Sequence, residues 1–159
     1  MGMLFTSARL GALTLKNRIV RSATAERMAD AEGRPRPALG ELYRDLAEGG
    51  VGLIITGHMY VDPGGKCHPE MTGIDRDDRV PDLAELVDIV HEAGGRLAVQ
   101  INHGGMQCSR ETVAEPVAPS AIAADFLPQP ARAMTGPEIE TAVAAYAAAA
   151  RRAQVAGFD

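Results

Sequence analysis

Apolar positions recur along this chain in two rhythms. Short, near-continuous apolar runs alternate with stretches in which apolar residues return every third or fourth position, and Gly or Pro clusters separate the two. Ile19-Val20 form the core of a first short strand, predicted over Arg18 to Ala23. Leu39, Leu42, Tyr43 and Leu46 fall at i, i+3, i+4 and i+7, which predicts an amphipathic helix stopped by Gly49-Gly50. Gly52-Leu53-Ile54-Ile55-Thr56 predicts a second strand. Pro81-Asp82 open a second helix with Leu83, Leu86, Val87 and Val90 on one face, ended by Gly94-Gly95. The stretch from Leu97 to Gln107 begins as a short apolar run that reads as a third strand buried on both faces, with Gln100 near its C-terminal end and Asn102-His103-Gly104-Gly105 turning the backbone after it. Thr135-Gly136-Pro137-Glu138 has the form of a capping box. The helix behind it places Ile139, Val143, Tyr146, Ala150 and Ala153 on one face, and Gly157 ends it. Ahead of all these, Leu4-Phe5 and Leu13-Thr14-Leu15 flank Gly11 and predict a small hairpin or extended lead-in.

Strand then helix, three times over, predicts parallel strands joined by right-handed crossovers. If all three helices lie on one face, the other face of a three-stranded sheet is uncovered. A (β/α)₈ barrel removes that problem by closing on itself, but needs about 250 residues. The chain has 159 and reaches Gly157-Phe158-Asp159 where a fourth strand would begin. The expectation is an α/β fold, the hairpin and first three βα units of a (β/α)₈ TIM barrel, with residues 1–159 as the N-terminal part of one domain.

One polar residue interrupts the third strand. Gln100 sits near its C-terminal end, followed by Asn102, His103, Gly104 and Gly105. Ligands of parallel α/β proteins sit at the carboxyl ends of strands, and a primary amide there can satisfy either a neighbouring backbone or a ligand edge. The loop from Val61 to Arg79 is too long for a bare connection, which also suggests function; its run Asp75 to Arg79 reads as a solvated turn. A net charge of −5 gives no electrostatic support to nucleic-acid binding. No apolar run approaches the ~20 residues of a membrane span, and no secretory leader is visible, so the expected setting is the cytoplasm. Cys67 and Cys108 fall in predicted loops and read as plain thiols in a reducing compartment. A metal site from Cys67, His68, His103 and Cys108 lacks the usual paired ligand spacing, so no metal is expected. His58 and His91 read as packing or surface residues.

Several segments, in order, resemble the Old Yellow Enzyme family of NADH:flavin oxidoreductases, or ene-reductases. Leu15-Lys16-Asn17-Arg18-Ile19-Val20 with Arg21-Ser22-Ala23-Thr24 is similar to that family's first strand, and Gly52 to Gly57 to its second. Asp75 to Pro81 resembles its acidic turn before the second helix, and Gln100-Ile101-Asn102-His103-Gly104-Gly105 its Gln-Leu-x-His-Ala-Gly. Pro119-Ser120-Ala121-Ile122 and the segment from the capping box to Asp159 also match in order and spacing. The resemblance implies FMN lying across the strand ends, with NAD(P)H as reductant and an activated alkene such as an enone as acceptor. It implies Ser22, Ala23 and Thr24 along the flavin ring, Gly57 leaving room beside it, and Gln100 on the pyrimidine edge. The amide's donor and acceptor suit the alternating N3–H and carbonyls of that edge.

The sequence also departs from the family. Ala25 stands where many relatives place a Cys or Thr that touches the flavin, and Met106 where they have an Arg. The family's substrate-binding His/Asn pair, flavin-contacting Arg, Tyr acid and phosphate loops fall beyond its fourth strand, so catalytic residues are expected beyond Asp159. The rival expectation is an inactive barrel fragment that associates with itself or with a partner chain. In either case unpaired strand edges favour a homo-oligomer.

Overall fold

The computed structural model describes residues 2–123 and 125–159. The lead-in is a hairpin of β1 (Ala8–Leu10) and β2 (Leu13–Leu15), antiparallel with Ala8 opposite Leu15. Leu13–Leu15 thus pairs with Ala8–Leu10, while Leu4 and Phe5 lie in a 3₁₀ turn, Met3–Phe5. Gly11 at the tip has a φ of +60°, the left-handed conformation that so tight a turn requires.

β3 (Val20–Arg21), β4 (Leu53–Tyr60) and β5 (Leu97–Asn102) form one parallel sheet in the order β3-β4-β5. Each is followed by its helix: α1 (Pro37–Glu48), α2 (Val80–Glu92) and α3 (Gly136–Ala156). Two short strands, β6 (Val117–Ala118) and β7 (Arg132–Ala133), pair within the long connection between β5 and α3. β3 is shorter than predicted, and a buried Asn17 secures its entry. Asn17 Nδ2 donates to Gly50 O at 2.7 Å while its Oδ1 accepts from Ile19 N–H at 2.9 Å. Among the described residues no helix is long and apolar enough to cross a membrane.

The core lies between one face of the sheet and the helices. Ile54, Met59 and Leu97 meet Leu39 and Tyr43 of α1, Leu83, Val87 and Val90 of α2, and Ala149, Ala153 and Ala156 of α3. Two sequence expectations need correction here. β5 is not buried on both faces: Leu97 is buried but Gln100 is exposed, because the helices cover only one side. The face assigned to α3 is also turned. Of the five residues assigned to it only Ala153 is buried: Val143 is 65% exposed and Ile139, Tyr146 and Ala150 are uncovered, and the buried seam is Ala149, Ala153 and Ala156. Alanine lets α3 approach its neighbours closely, and the larger residues point away.

A bulge sets the phase of the central strand. Ile54 and Ile55 pair with Leu97 and Ala98, but His58 pairs with Gln100, so β4 carries one extra residue around Thr56-Gly57. Side chains alternate with a period of two, so the insertion moves His58 to the open face and returns Met59 to the core. The buried Thr56 hydroxyl repairs the interrupted ladder. It accepts from Gln100 N–H at 3.2 Å and donates to Gly57 O at 2.8 Å.

The run Asp75 to Arg79 is likewise not simply a solvated turn. Arg79 is 2% exposed, donates to Asp75 Oδ1 at 2.6 Å and to Tyr60 Oη at 2.9 Å, and stacks on the Tyr60 ring. Arg76 and Asp78 form the exposed half.

Thr56→Val keeps the shape but removes both hydroxyl bonds, leaving Gln100 N–H and Gly57 C=O unpaired. The expected loss is about 1–3 kcal/mol, read as a lower denaturant midpoint with unchanged slope. A second expectation concerns the start of α3. Glu138 accepts from Arg132 at 2.6 Å and 2.9 Å and from Thr135 N–H at 2.8 Å, and these bonds hold its carboxyl down at about 2. A depressed carboxyl stabilises the fold above the unfolded value of about 4.3 and loses that effect as pH falls through about 2. The amide protection factor in the first turn of α3, corrected for intrinsic exchange, should therefore fall across that window in the wild type more than in Glu138→Gln.

Candidate functional site

The carboxyl ends of β3, β4 and β5 open on the face that carries no helix. Ser22, Ala23 and Thr24 follow directly on β3, with Ser22 and Thr24 exposed and the Thr24 hydroxyl donating to Ser22 O at 3.2 Å. Gln100 lies two strands away, about 10 Å at the usual inter-strand spacing. Its backbone N–H is taken by Thr56, but its side-chain amide has no hydrogen-bond partner among the described residues. Ala98 and Asn102 share its face by alternation. Ser22, Thr24 and Gln100 are therefore exposed at the carboxyl ends of the sheet, and Ala23, between the first two, is partly buried.

Gly57 has a different immediate neighbour. A Cβ there would meet the Glu26 carboxylate and come within 2.6 Å of Thr24 O. The space a side chain would use is filled from below by Glu26, whose side chain is 8% exposed. Glu26 Oε1 accepts from Gly57 N–H at 3.0 Å and from Tyr43 Oη at 2.9 Å, and it pairs with Arg21 Nη1 at 2.7 Å. Arg21 donates onward to Ile55 O at 2.9 Å. One carboxylate thus joins β3, β4 and α1 beneath the strand ends. Burial, together with the adjacent Glu26, drives the Tyr43 hydroxyl far above its ordinary pKa, so it serves as a permanent donor.

Beside the open face, His58 Nε2 lies 3.2 Å from His68 Nε2, and Asn102 Nδ2 lies 3.4 Å from His58 Nδ1. An amide donor at Nδ1 assigns the His58 proton to Nε2, and hence the His68 proton to Nδ1. His68 Nδ1 faces Glu70 at 3.6 Å, too long for a hydrogen bond. Burial is the main reason both imidazoles lie below their ordinary pKa, with Arg27 adding to it. His58 thus belongs to a polar cluster, and His91 pairs with Asp159 at 2.8 Å. The four residues weighed as metal ligands divide: His68 turns to His58, while Cys67 and Cys108 meet near Gly104. Among the described residues no group of three or more His, Cys, Asp or Glu could hold a metal ion.

Sequence patterning does not single out Glu26, Thr56 or the His58–His68 pair. Glu26 stands alone in a loop without periodicity. Gly57, however, is a lone glycine inside a strand, and such glycines often mark a bulge or a close approach of another group.

A model of the NADH:flavin oxidoreductase / NADH oxidase family matches residues 3–159. An NADPH dehydrogenase of Halalkalibacterium halodurans is 38% identical over 157 residues, which cover 98% of this chain and 46% of that relative. An NADH oxidase of Thermoanaerobacter brockii is 36% identical over 159 residues, covering 98% of this chain and 24% of the relative. Among solved structures, the old yellow enzyme homologue from Zymomonas mobilis aligns with a TM-score of 0.89 at 32% identity, covering 99% of this chain and 47% of that one. Morphinone reductase in complex with tetrahydroNAD aligns at 0.90 and 29%, covering 100% and 48%. The chain spans about half the length, or less, of these relatives. Its hairpin and three βα units are the N-terminal part of their (β/α)₈ barrel.

Glu26→Ala would strand Arg21 and leave two further donors, Tyr43 O–H and Gly57 N–H, without their acceptor. The expected destabilisation is about 3 kcal/mol, the cost of breaking a buried pair, measured by urea unfolding. Glu26→Gln keeps an acceptor and should retain part of it; equal stability of all three proteins would remove Glu26 from its joining role.

Proposed function

We propose, for a chain that belongs to the NADH:flavin oxidoreductase / NADH oxidase family, that the open sheet face carries one edge of an FMN site. FMN and NAD(P)H are the cofactors of that family. Residues 1–159 are then the N-terminal part of a single FMN-binding barrel domain. The enzyme so built passes hydride from NAD(P)H through the flavin to an activated alkene such as an α,β-unsaturated carbonyl, in the cytoplasm. When bound, the flavin supplies the redox chemistry, and the protein supplies position and electrostatics.

The observation that carries this reading is the free amide of Gln100. It stands exposed at the end of an otherwise apolar strand, with its donors and acceptor uncommitted among the described residues. Such a group suits the alternating donor and acceptors of a flavin's pyrimidine edge. Ser22, Ala23 and Thr24 suit a flat ring because they are small and end β3 two strands away. Gly57 enters the site as backbone only, its side-chain space belonging to Glu26. Holding the flavin phosphate and donating a proton to substrate are roles that none of these five residues fills.

A second reading has a specific observation behind it. Ile139, Val143 and Val155 of α3 are exposed, and β5 has a strand neighbour on one edge alone among the described residues. On this reading the chain acts only when those surfaces are covered, by a second copy or by a complementary barrel segment.

Titration with FMN, followed by quenching of flavin fluorescence, tests the site, and size-exclusion chromatography separates the two readings. A yellow species with one FMN per chain favours the flavin site, and a colourless oligomer favours the associating fragment. In the complete protein Gln100→Ala should weaken FMN binding by about 1–3 kcal/mol, the range for a lost partner of a buried polar group. Unchanged affinity would take Gln100 out of the site.

A further inference from the structure

The loops that follow β4 and β5 bring the two cysteines of the chain together. Gly104 N–H donates to Gly65 O at 2.9 Å and Ser109 N–H to Cys67 O at 3.0 Å, so the two backbones run side by side. A Cβ on Gly104 would lie 2.8 Å from Cys108 Sγ and closer still to Cys67 Sγ. Both sulfurs therefore crowd one point, the place left empty by that glycine. Cys67 is half-buried and Cys108 fully buried, and both are free thiols.

The two thiols are not equivalent. The Cys108 thiol beside it, assisted by Asn102 Nδ2 at 3.8 Å, draws the Cys67 thiol down to about 7 against the opposing effect of burial. Cys108, beside that sulfur and buried, with its thiol donating to Gly64 O at 3.7 Å, is pushed up. Near neutral pH the half-buried Cys67 is thus the better nucleophile and the fully buried Cys108 its reserve.

We propose that Cys67 and Cys108 form a dithiol–disulfide site that takes small-molecule disulfides of the glutathione class as its oxidising substrate. The Cys67 thiolate attacks one sulfur of RS–SR, forming a mixed disulfide and releasing RS⁻. Cys108 then gives up its proton and attacks the Cys67 sulfur, forming the Cys67–Cys108 bond and releasing the second RS⁻. Two cysteine thiols are oxidised, one RS–SR is reduced to two RSH, and the cysteine protons end on the released thiols. The bond ties the loop after β4 to the loop after β5, next to Asn102 and His103, without drawing on the flavin.

The test equilibrates the 159-residue chain in defined mixtures of oxidised and reduced glutathione, followed by acid quenching, alkylation, intact mass and peptide mapping. The expected product is a monomer two hydrogens lighter, with the Cys67 and Cys108 peptides linked, and dithiothreitol restores both thiols. Cys108→Ser should instead stop with one glutathionyl group on Cys67. Cys108→Ala provides the same measurement if serine disturbs the buried position, and the wild-type map decides the question if neither variant folds. Two free thiols in fully oxidised buffer, two separately glutathionylated cysteines, or linkage only between chains would each overturn the proposal.

Discussion

Helices placed on one side of a parallel sheet leave the other side of every strand to be covered by something else, and this asymmetry governs the molecule. The covered side is an ordinary core: large aliphatic residues from α1 and α2 and an alanine seam from α3 close over Ile54, Met59 and Leu97. On the other side, Gln100, Ser22 and Thr24 remain exposed. The same rule that buries alternate residues of a strand exposes their neighbours, so core and candidate site are two consequences of one strand geometry. The bulge at Thr56-Gly57 links them, because it exchanges which face the last residues of β4 serve.

Exposed chemistry on a thin sheet needs a stiff support, and the support here is polar. Glu26 gathers Arg21, Tyr43 and Gly57 beneath the ends of β3 and β4, while Asp75, Arg79 and Tyr60 do the same beyond the end of β4. Both are buried ion pairs supplemented by hydrogen bonds, an arrangement that specifies position at least as much as it adds stability. The aliphatic layer cannot fill this role, since it contacts only the helix side of the sheet.

The parts of the fold that repeat are readable from the sequence, and the parts built from single residues are not. α1 and α2 carry Leu, Val and Tyr at helical spacing against a polar background, so their buried faces stand out from residue spacing alone. In α3 the background is itself alanine; Ile139, Val143 and Tyr146 dominate the pattern although the seam is made by the small residues. Strand order and the polar end of β5 follow from the alternation of elements. The Glu26 junction joins residues that lie far apart in sequence and share no period, and the bulge depends on a register that one strand alone does not encode. For Asp75 and Arg79 a signal does exist, since opposite charges four apart pair readily, but burial comes from Tyr60 and Gly73, which lie elsewhere in the chain.

Glycines mark where these layers touch, and three of them show the same device. Gly57 yields its side-chain space to Glu26, Gly104 to the two cysteine sulfurs, and Gly65 to the His103 ring, 2.7 Å from where a Cβ would stand. In each case a loop group is seated against backbone at the carboxyl end of the sheet, closer than any larger residue would allow. None of the three has a positive φ, so proximity rather than backbone conformation explains them. The carboxyl ends of β4 and β5 are therefore crowded from the loop side while Gln100 stays exposed on the sheet face, and Asn102, reaching from that face to Cys67 Sγ at 3.8 Å, ties the cysteine pair to it.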